Sequence, residues 1–341
     1  MPRRRGRAPT LATVADEAGV SRQTVSNALN SPHLLRPETL ARVQHAIDTL
    51  GYSPNRAARN LRTRASHLIG LRVEPAAEGT ANVLMDRFLH SLVESSDVAG
   101  YHVLLFADDE ERADPVAGYA DLLRSTAVDA FVVTDTYRGN PQAGWLERQG
   151  APFVAFGRPW DDSRAKHPWV DVDGRAGVGL AVDHLVERGH SRIAWIGWLK
   201  DSFIGEDRRS GWVDTMHAHR LSTSRLSARG DDTVDFGRRA AHALLESEEP
   251  TAFVCASDTI AMGVLHALSE RRLRAGEDVA VVGFDDSIAA QVAPPGLTSV
   301  RQPLEQVARE IVGLLGKRLS HKHIDEPGLL LTPTLVVRGS G

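Results

Sequence analysis

Four polar side chains in one short segment have the chemistry needed to read DNA bases. Within the segment Gly19–Asn30, the residues Arg22, Gln23, Ser26 and Asn27 are spaced to share one face of a helix whose opposite face is apolar. Arginine, glutamine and asparagine form paired hydrogen bonds with base edges in the DNA major groove. An ordinary amphipathic surface helix has the same pattern, so the elements on either side decide between the two interpretations.

The neighbouring residues predict a helix-turn-helix unit. Thr10 and Ser21 are each placed to cap a helix, and Gly19 can end the first helix in a left-handed conformation. Pro37 begins a third helix, so three short helices can share one small core. Two helices joined by so short a turn are typical of DNA-binding motifs. We therefore add Ser21 and Thr24, in the first turn of the second helix, to the candidate DNA contacts.

Residues 53–64 predict a hinge that follows this unit. Ser53 and Pro54 can start a helix there, but its apolar stripe is too thin to fold alone. Two such helices from two copies of the chain could pack on their alanines and leave a leucine as an apolar wedge for the minor groove. Without DNA we expect a flexible linker. The candidate DNA contacts of the hinge are Asn55, Arg56, Arg59 and Leu61.

Charge is distributed unevenly along the 341 residues. Residues 1–64 contain eleven arginines and four acidic residues, a balance of +7. Since the whole chain carries −4, the remainder carries −11. A basic head on an acidic body indicates a polyanionic partner for the head alone.

The composition predicts a protein of the cytoplasm. No run in the sequence approaches the roughly 18 consecutive apolar residues of a membrane span. Asp16 and Glu17 interrupt the segment after the basic N-terminus, so this segment does not resemble a secretory signal. Cys255 is the single cysteine, which excludes a disulfide framework and a cysteine metal site.

From residue 66 onward, apolar strand-like runs alternate with helical patterns, which predicts parallel sheets flanked by helices. The runs are too many for one ordinary sheet, so we predict an α/β core of two doubly wound subdomains behind a small all-α headpiece. The strand-like runs are Leu68–Val73, His102–Phe106, Ala130–Val133, Phe153–Phe156, Ile193–Ile196, Ala252–Cys255 and Val279–Phe284. The predicted division is 1–52 for the headpiece, 53–65 for the hinge, 66–171 with 301–326 for the N-terminal subdomain, and 172–300 with 327–341 for the C-terminal subdomain.

Charged and aromatic residues follow several of these strands. In doubly wound sheets, ligands bind beyond the carboxyl ends of the strands. Carboxylates and guanidinium groups pair with hydroxyl groups, and a tryptophan face stacks on the apolar face of a sugar ring, so such a cleft suits a polyhydroxylated ligand. Alternatively, Asp258 caps a helix and Trp198 belongs to the core. The candidate ligand contacts are Glu74, Arg158, Trp198, Arg208, Asp258 and Asp285.

The sequence gives no positive sign of catalysis. The glycine-rich stretch Gly174–Gly179 matches neither a dinucleotide fingerprint nor a phosphate-binding loop. The histidine pairs His217/His219 and His321/His323 lack acidic or cysteine partners at metal-ligand spacing. No serine stands in the turn motif of the α/β hydrolases. We therefore predict no enzyme activity, no cofactor and no metal.

Several motifs occur together along almost the whole chain. In the headpiece they are Thr10–Ser21, Thr24-Val25-Ser26 and Gly51–Ala58. In the core they are His184–Ala194, Ser257-Asp258, Val279–Asp286 and Val336–Ser340. In this combination the chain resembles the lactose-repressor (LacI/GalR) family of bacterial transcription regulators.

The resemblance implies a helix-turn-helix headpiece, a hinge helix and a core similar to type I periplasmic sugar-binding proteins. It places Arg22, Gln23 and Asn27 on the base-reading face and Leu61 in the minor groove. Members of the family bind palindromic operators as dimers. The extra C-terminal heptad segment of tetrameric members is missing here, so the resemblance implies a homodimer.

The resemblance also concerns the ligand. It places Arg208 and Asp285 in the effector pocket, with Asp258 at its rim. The string Phe156–Pro159 is similar to that of the subgroup that senses glucosides and other oligosaccharides. Asn27 stands where many members have arginine, so the operator sequence does not carry over.

We therefore predict a sequence-specific DNA-binding regulator, a repressor, whose operator affinity is controlled by a sugar or oligosaccharide bound between the two core subdomains. Two alternatives stay open: a cytoplasmic sugar-binding protein with a non-functional head, and an α/β enzyme. Deletion of residues 1–64 tests the first alternative, and turnover of a candidate sugar tests the second. The sequence leaves open which effector binds, which operator is read, and whether the effector releases or strengthens DNA binding.

Overall fold

The computed structural model describes residues 9–52, 65–73, 82–107, 114–134, 136, 139–160 and 165–341. The chain divides into two compact units, Met1–Ala65 and Ser66–Gly341. The predicted hinge, with its candidates Asn55, Arg56, Arg59 and Leu61, lies outside the described residues, as does Glu74.

The described part of the first unit is helical. Its elements are α1 (Leu11–Ala18), α2 (Arg22–Asn30), a 3₁₀ turn (Pro32–Leu34) and α3 (Pro37–Leu50). Thr10 caps α1 as predicted, because its hydroxyl accepts from the Thr13 amide while the Thr13 hydroxyl accepts from the Thr10 amide. Gly19 ends α1 with a φ of 62°, a left-handed geometry that glycine adopts at little cost.

The three helices share one small core. Val14, Val25 and Val43, one from each helix, are fully buried, and Leu50 and Tyr52 pack against them. Burial of these apolar side chains stabilises the packing of the three helices. Because Val25 faces this core, the residues on the other side of α2 face away from it.

The second unit is built from two parallel-type sheets with helices between the strands. Its described strands are β1 (Leu68–Arg72), β2 (His102–Phe106), β3 (Ala130–Val133), β4 (Phe153–Phe156), β5 (Trp169–Val172), β6 (Ile193–Trp198), β7 (Ser227–Gly230), β8 (Ala252–Cys255), β9 (Ala280–Phe284), β10 (Thr298–Arg301), β11 (Gly328–Leu331) and β12 (Thr334–Val336). Its described helices are α4 (Asn82–Val98), α5 (Ala117–Arg124), α6 (Pro141–Gln149), α7 (Gly174–Glu187), α8 (Phe203–Ala218), α9 (Val234–Ser247), α10 (Asp258–Glu270), α11 (Ile288–Val292) and α12 (Leu304–Leu319).

The strand order defines two subdomains. Within the described residues, the N-terminal sheet has the order β11-β5-β4-β3-β1-β2, and all its pairs are parallel. The C-terminal sheet has the order β12-β10-β9-β8-β6-β7, with β12 antiparallel to β10 and the other pairs parallel. This topology confirms the predicted fold class of two doubly wound subdomains.

The chain passes between the two sheets after β5, after β10 and after β11. The third passage lies between Leu331 and Thr334, whereas the sequence predicted that the C-terminal subdomain takes over at residue 327. The prediction was wrong for β11, because Gly328–Leu331 pairs in parallel register with Trp169–Val172 of the N-terminal sheet. Pro333, which lacks an amide hydrogen, stands in the passage where no ladder continues.

Helices cover both faces of each sheet, so the central strands are buried, whereas edge strands such as β2 and β7 are partly exposed. In the N-terminal subdomain, Phe88 of α4 and Ile311 of α12 pack on one face, and Tyr119 and Leu146 pack in a separate cluster on α5 and α6. In the C-terminal subdomain a single large cluster joins α7 to α10. A Cβ at Gly177 of α7 would lie 2.8 Å from Pro333 Cγ, so this glycine serves close packing.

Candidate functional site

Helix α2 begins where the sequence predicted. The Ser21 hydroxyl accepts from the Thr24 amide at 3.1 Å, and the hydroxyls of Ser21 and Thr24 lie 2.9 Å apart. This contact satisfies an amide of the first turn that has no partner within the helix. Ser21 and Thr24 therefore stabilise the N-terminus of α2 through this contact.

The exposed face of α2 carries the predicted base-reading residues. Arg22 and Gln23 are exposed, and Ser26 and Asn27 are partly buried. Gln23 Nε2 donates to Asn27 Oδ1 at 3.0 Å, one helical turn away. The face thus presents a guanidinium group beside two amides that are already bonded to each other, a set of groups that matches base edges.

A cleft between the two subdomains lies at the carboxyl ends of both sheets. It has two compartments, with empty volumes of about 640 Å³ and about 990 Å³, which share Leu84 and Arg208 as wall residues. We call them the Trp160 compartment and the Trp198 compartment. Five of the six predicted ligand contacts line them: Arg158 and Arg208 in the first, Trp198, Arg208, Asp258 and Asp285 in the second.

The Trp160 compartment is aromatic and apolar on one side. Trp160, from the N-terminal subdomain, stacks on Phe203 of α8 with ring centroids 6.0 Å apart and an interplanar angle of 26°. The Trp160 indole nitrogen is buried and has no hydrogen-bond partner among the described residues. A buried donor without a partner is costly, so it indicates a place for a ligand acceptor.

The Trp198 compartment combines an indole with carboxylates. Trp198 ends β6, and its indole nitrogen is also buried without a described partner. Asp232, Asp258 and Asp285 follow β7, β8 and β9 along the same edge of the sheet. This arrangement offers acceptors for hydroxyl donors beside an indole that can donate.

Arg208 stands where the two compartments meet. Its side chain on α8 is 6% exposed, and its guanidinium carbon lies 3.7 Å from the ring centroid of Phe284 and 4.9 Å from that of Trp198. Nη1 donates to the Ala256 carbonyl at 2.5 Å, whereas Nε has no partner within the described structure. Burial lowers the pKa of Arg208, and four aspartates including Asp285 oppose that change.

Asp285 is the carboxylate that pairs with this guanidinium group. Its Oδ1 lies 3.7 Å from Arg208 Nη2 and accepts from Gln302 Nε2 at 2.7 Å. Burial raises the pKa of Asp285 to about 7; Arg208 lowers it, and Asp258 raises it further. The residue has a φ of 109°, a region that side chains rarely adopt, so the loop after β9 holds it under strain.

Asp258 supports the loop after β9, which carries Asp285. It is 3% exposed, its Oδ1 accepts from the Ser299 hydroxyl at 2.6 Å, and its Oδ2 accepts from the Ser287 amide at 2.7 Å. The cap of α10 is Ser257, whose side chain accepts from the Ile260 amide, so Asp258 is not the cap. It joins β10 to the loop that carries Asp285.

Arg158 ties the two subdomains together. Nε donates to Asp171 Oδ2 at 2.6 Å within the N-terminal subdomain, and Nη2 lies 3.4 Å from Asp207 Oδ2 on α8 of the C-terminal subdomain. Burial raises the pKa of Asp207, while Arg158 and the Arg175 amide lower it. Because its guanidinium group contacts Asp171 and Asp207, Arg158 stabilises the wall of the Trp160 compartment.

Asp207→Ala is expected to destabilise the second unit by about 1–3 kcal/mol, because it removes the acceptor of Arg158 Nη2 and of the Arg175 amide. The matched control is Asp214→Ala on the same helix, whose partner Arg175 is 58% exposed and should cost less than about 1 kcal/mol. Urea unfolding followed by far-UV circular dichroism measures both. Equal losses in the two variants would contradict the bridging role of Arg158.

Several lining residues were not predicted from the sequence. Trp160 follows the Phe156–Pro159 string directly, and this position was a usable signal. Asp232 follows β7, a strand whose residues lack an apolar pattern. Asp207 lies on α8 next to Arg208, on a helix that the sequence placed after Trp198, and Phe203 of the same helix supports the site by stacking on Trp160.

Among the described residues, no group of three or more histidine, cysteine or acidic side chains is arranged to hold a metal ion. None of the helices described is both long enough and apolar enough to span a membrane.

Comparison with known proteins matches a region of each unit to a protein family. Residues 10–55 match the family model of bacterial regulatory proteins, lacI family, and residues 182–341 match a periplasmic binding protein-like domain. The chain is 35% identical over 347 residues to the HTH-type transcriptional regulator CelR of Thermobifida fusca, which covers 99% of both chains.

Solved structures agree with this assignment. A transcriptional regulator CelR–cellobiose complex has 32% identity and a TM-score of 0.73, and the match covers 98% of this chain and 100% of that one. The lac repressor dimer bound to operator and the anti-inducer ONPF has 24% identity and a TM-score of 0.79 over 98% of this chain and 99% of that one, which supports the fold. This chain therefore belongs to the lacI family of bacterial regulatory proteins, a family of helix-turn-helix transcriptional regulators and not of enzymes.

Proposed function

We propose that this regulator is a homodimeric repressor of a palindromic operator, and that its effector is a glucose disaccharide or short oligosaccharide bound in the cleft. The observation that carries the effector class is the pair of tryptophan compartments joined at Arg208. Two adjoining compartments suit two linked sugar rings better than one ring.

The chemistry of each compartment supports a sugar. Tryptophan is a common wall residue of sugar sites because its large apolar surface suits a pyranose ring, and each compartment has one tryptophan, Trp160 or Trp198. Their two unpartnered indole donors match sugar oxygens, and the carboxylate of Asp285 matches a hydroxyl donor. Arg208 lies at the junction, where its Nε can donate to an oxygen near the glycosidic link.

The relative whose structure was determined with cellobiose narrows the class of effector. At 32% identity over nearly the whole chain, it supports a β-linked glucoside for this cleft as well. Cellobiose is therefore the first compound to test, with longer β-glucosides next.

Dimer formation would bring two headpieces onto the two halves of an operator. The core exposes apolar residues that a second copy could cover: Val98 of α4 is 91% exposed, and Val292 of α11 is 72% exposed. Arginines of the basic head would supply phosphate contacts. Because a DNA-binding regulator must reach its operator inside the bacterial cell, we place this one in the cytoplasm.

An effector in the cleft touches both subdomains, so it would favour one relative orientation of them over others. This change would alter the spacing of the two hinge segments in the dimer and thereby the affinity for DNA. Couplings of this kind are typically about 1–3 kcal/mol.

Selection of binding sites from random DNA with the full chain tests the proposal. We expect a palindromic consensus that binds at least about 1,000-fold more tightly than random DNA at one fixed salt concentration. Cellobiose should change that affinity and raise the melting temperature of the protein, since a ligand of the folded state stabilises it by mass action. Maltose, the α-linked isomer, is the matched control for linkage.

The outcomes separate the alternatives. Failure to enrich any sequence over random DNA would overturn the operator-binding function. Retention of DNA by a chain that lacks residues 1–64 would favour a sugar-binding protein with a non-functional head. Equal responses to cellobiose and maltose would overturn the β-glucoside as effector and leave the operator-binding function intact.

A further inference from the structure

Arg87 of α4 joins the N-terminal subdomain to the loop that carries Asp285. Its Nη1 donates to the Asp285 carbonyl at 3.3 Å. Its Nη2 lies 3.4 Å from Oε1 of Glu305, in the first turn of α12. Helices α4 and α12 pack in one apolar cluster on the N-terminal sheet. Glu305 therefore anchors the guanidinium group within the N-terminal subdomain, while Nη1 reaches the C-terminal subdomain.

The amide and the carboxyl of Asp285 have other partners. The amide donates to the Val300 carbonyl at 2.8 Å. The carboxyl accepts from Gln302, pairs with Arg208 and lines the Trp198 compartment. The carboxyl thus faces the effector site, whereas the carbonyl of the same residue contacts Arg87. One residue connects the ligand site to the N-terminal subdomain.

The loop after β9 has a strained backbone. Asp285 and Asp286 have φ values of 109° and 49°, in a region that side chains rarely adopt. Such a backbone persists only where surrounding contacts fix it. The Asp286 carboxylate is 2% exposed and accepts from Arg301 Nε at 2.6 Å and from Arg338 Nη2 at 2.5 Å. Asp286 is therefore fixed, and a ligand at the neighbouring carboxyl acts on the strained residue that contacts Arg87.

We propose that Arg87 is the positioning residue through which the effector cleft acts on the N-terminal subdomain, and so on the affinity for DNA. This inference rests on the proposed function and adds the residue that carries its regulation. A ligand hydroxyl at the Asp285 carboxyl moves the strained residue and its carbonyl, so the contact with Arg87 differs between the free and the bound chain. A ligand shifts an equilibrium only through interactions that differ between two states, and this contact supplies such a difference.

The coupling factor measures this role in the full chain. It is the ratio of the operator dissociation constants with and without saturating cellobiose, from the anisotropy of labelled operator at one salt concentration. Linkage requires the same factor in the cellobiose dissociation constants with and without operator, so the two titrations check each other. We expect a factor of about 5- to 150-fold in the wild type, in either direction, and of less than about twofold in Arg87→Met. A loss of stability alone leaves this ratio unchanged, because only folded chains bind.

A second variant separates coupling from ligand contact, since Arg87 also lies in the wall of the Trp198 compartment. Glu305 lies outside the described walls of both compartments. Glu305→Ala should therefore keep the cellobiose affinity of the operator-free chain, and its coupling factor should lie between those of the wild type and Arg87→Met. The double variant should match Arg87→Met, because Glu305 acts through Arg87.

Arg87→Lys keeps a charged donor and should recover part of the coupling. The matched control is Arg124→Met in α5, since the Arg124 side chain is 74% exposed and pairs with Asp121 on the surface. Its coupling factor should equal that of the wild type. Circular dichroism establishes that each variant folds.

Three results would overturn the proposal. Arg87→Met could keep the wild-type coupling factor. Arg124→Met could lose as much coupling as Arg87→Met, which would make the effect one of net charge. The operator-free Arg87→Met chain could fail to bind cellobiose while Glu305→Ala couples as the wild type does, which would make Arg87 a ligand contact. A wild-type chain that binds the operator without any response to cellobiose would instead refute the proposed effector, a separate failure that is seen before any variant is made.

Discussion

Arg208→Ala is expected to bind the operator as the wild type does and to lose the response to cellobiose. The buried guanidinium group touches both compartments, lies against Phe284 and Trp198, and has a free Nε donor. A hydrogen bond to a charged group contributes about 1.5–3 kcal/mol, so affinity for the effector should fall at least about 10- to 100-fold. Anisotropy of labelled operator during a cellobiose titration measures both properties.

The substitution also removes the cation paired with the Asp285 carboxyl, which can then take up a proton, so the stability of the second unit should fall by about 1–3 kcal/mol. The headpiece has its own core, and operator binding should survive that loss. Arg208→Lys keeps the charge but loses the planar guanidinium group. We therefore expect a weaker response to cellobiose than in the wild type, in a protein that is more stable than Arg208→Ala. The control is Arg239→Ala, since Arg239 is 68% exposed and pairs with Asp235 on the surface. A normal cellobiose response in both Arg208 variants would remove Arg208 from the site.

Local structure was predictable because its causes are local. A hydroxyl three residues before a free amide makes the caps at Thr10 and Ser21, and the glycine at position 19 ends α1. The apolar runs that became β2, β3, β4 and β8 were predicted to the residue, since strands of parallel sheets that are covered by helices have near-continuous apolar sequence.

Strands β5, β7 and β10 were not predicted, and each has a specific reason. β5 contains Asp171, whose charge is paired with Arg158. β7 is Ser-Ala-Arg-Gly at the edge of its sheet, where burial is partial. β10 buries Thr298 and Ser299, whose hydroxyls bond to the Arg338 carbonyl and Asp258. Polar residues that are satisfied by distant partners cannot be told from loop residues in a sequence.

The cleft residues show the same contrast between features with local causes and features that depend on distant residues. Residues at strand ends were predicted because a fold rule selects that edge. The partners that give them their properties come from far along the chain: Asp207 lies 49 residues after Arg158, and Gln302 lies 17 residues after Asp285. A sequence therefore names the candidates, whereas three-dimensional contact decides which of them are available to a ligand.

Asp285→Asn is expected to change how stability depends on pH. The pKa of Asp285 is about 7 in the folded chain and about 4 in an unfolded one. Between these values the folded state holds a proton that the unfolded state has released. The stability of the wild type therefore falls as pH rises through this window, by at most about 1.4 kcal/mol per pH unit. Above pH 7 both states are ionised and this contribution is constant. Asparagine has no such proton, so the variant should lack this decline.

Melting temperatures of both proteins between about pH 5 and pH 8 give the measurement, and the variant should gain on the wild type as pH rises. Asp278→Asn is the matched control. Its amide partner Arg274 lowers the pKa of Asp278, so its titration lies below the tested range and its offset from the wild type should stay constant. If the difference in melting temperature between Asp285→Asn and the wild type is also the same at every pH tested, Asp285 is already ionised at pH 5. In that case Arg208 would outweigh burial in the cleft, and an effector would meet a fixed ion pair in place of a carboxyl group that titrates near neutral pH.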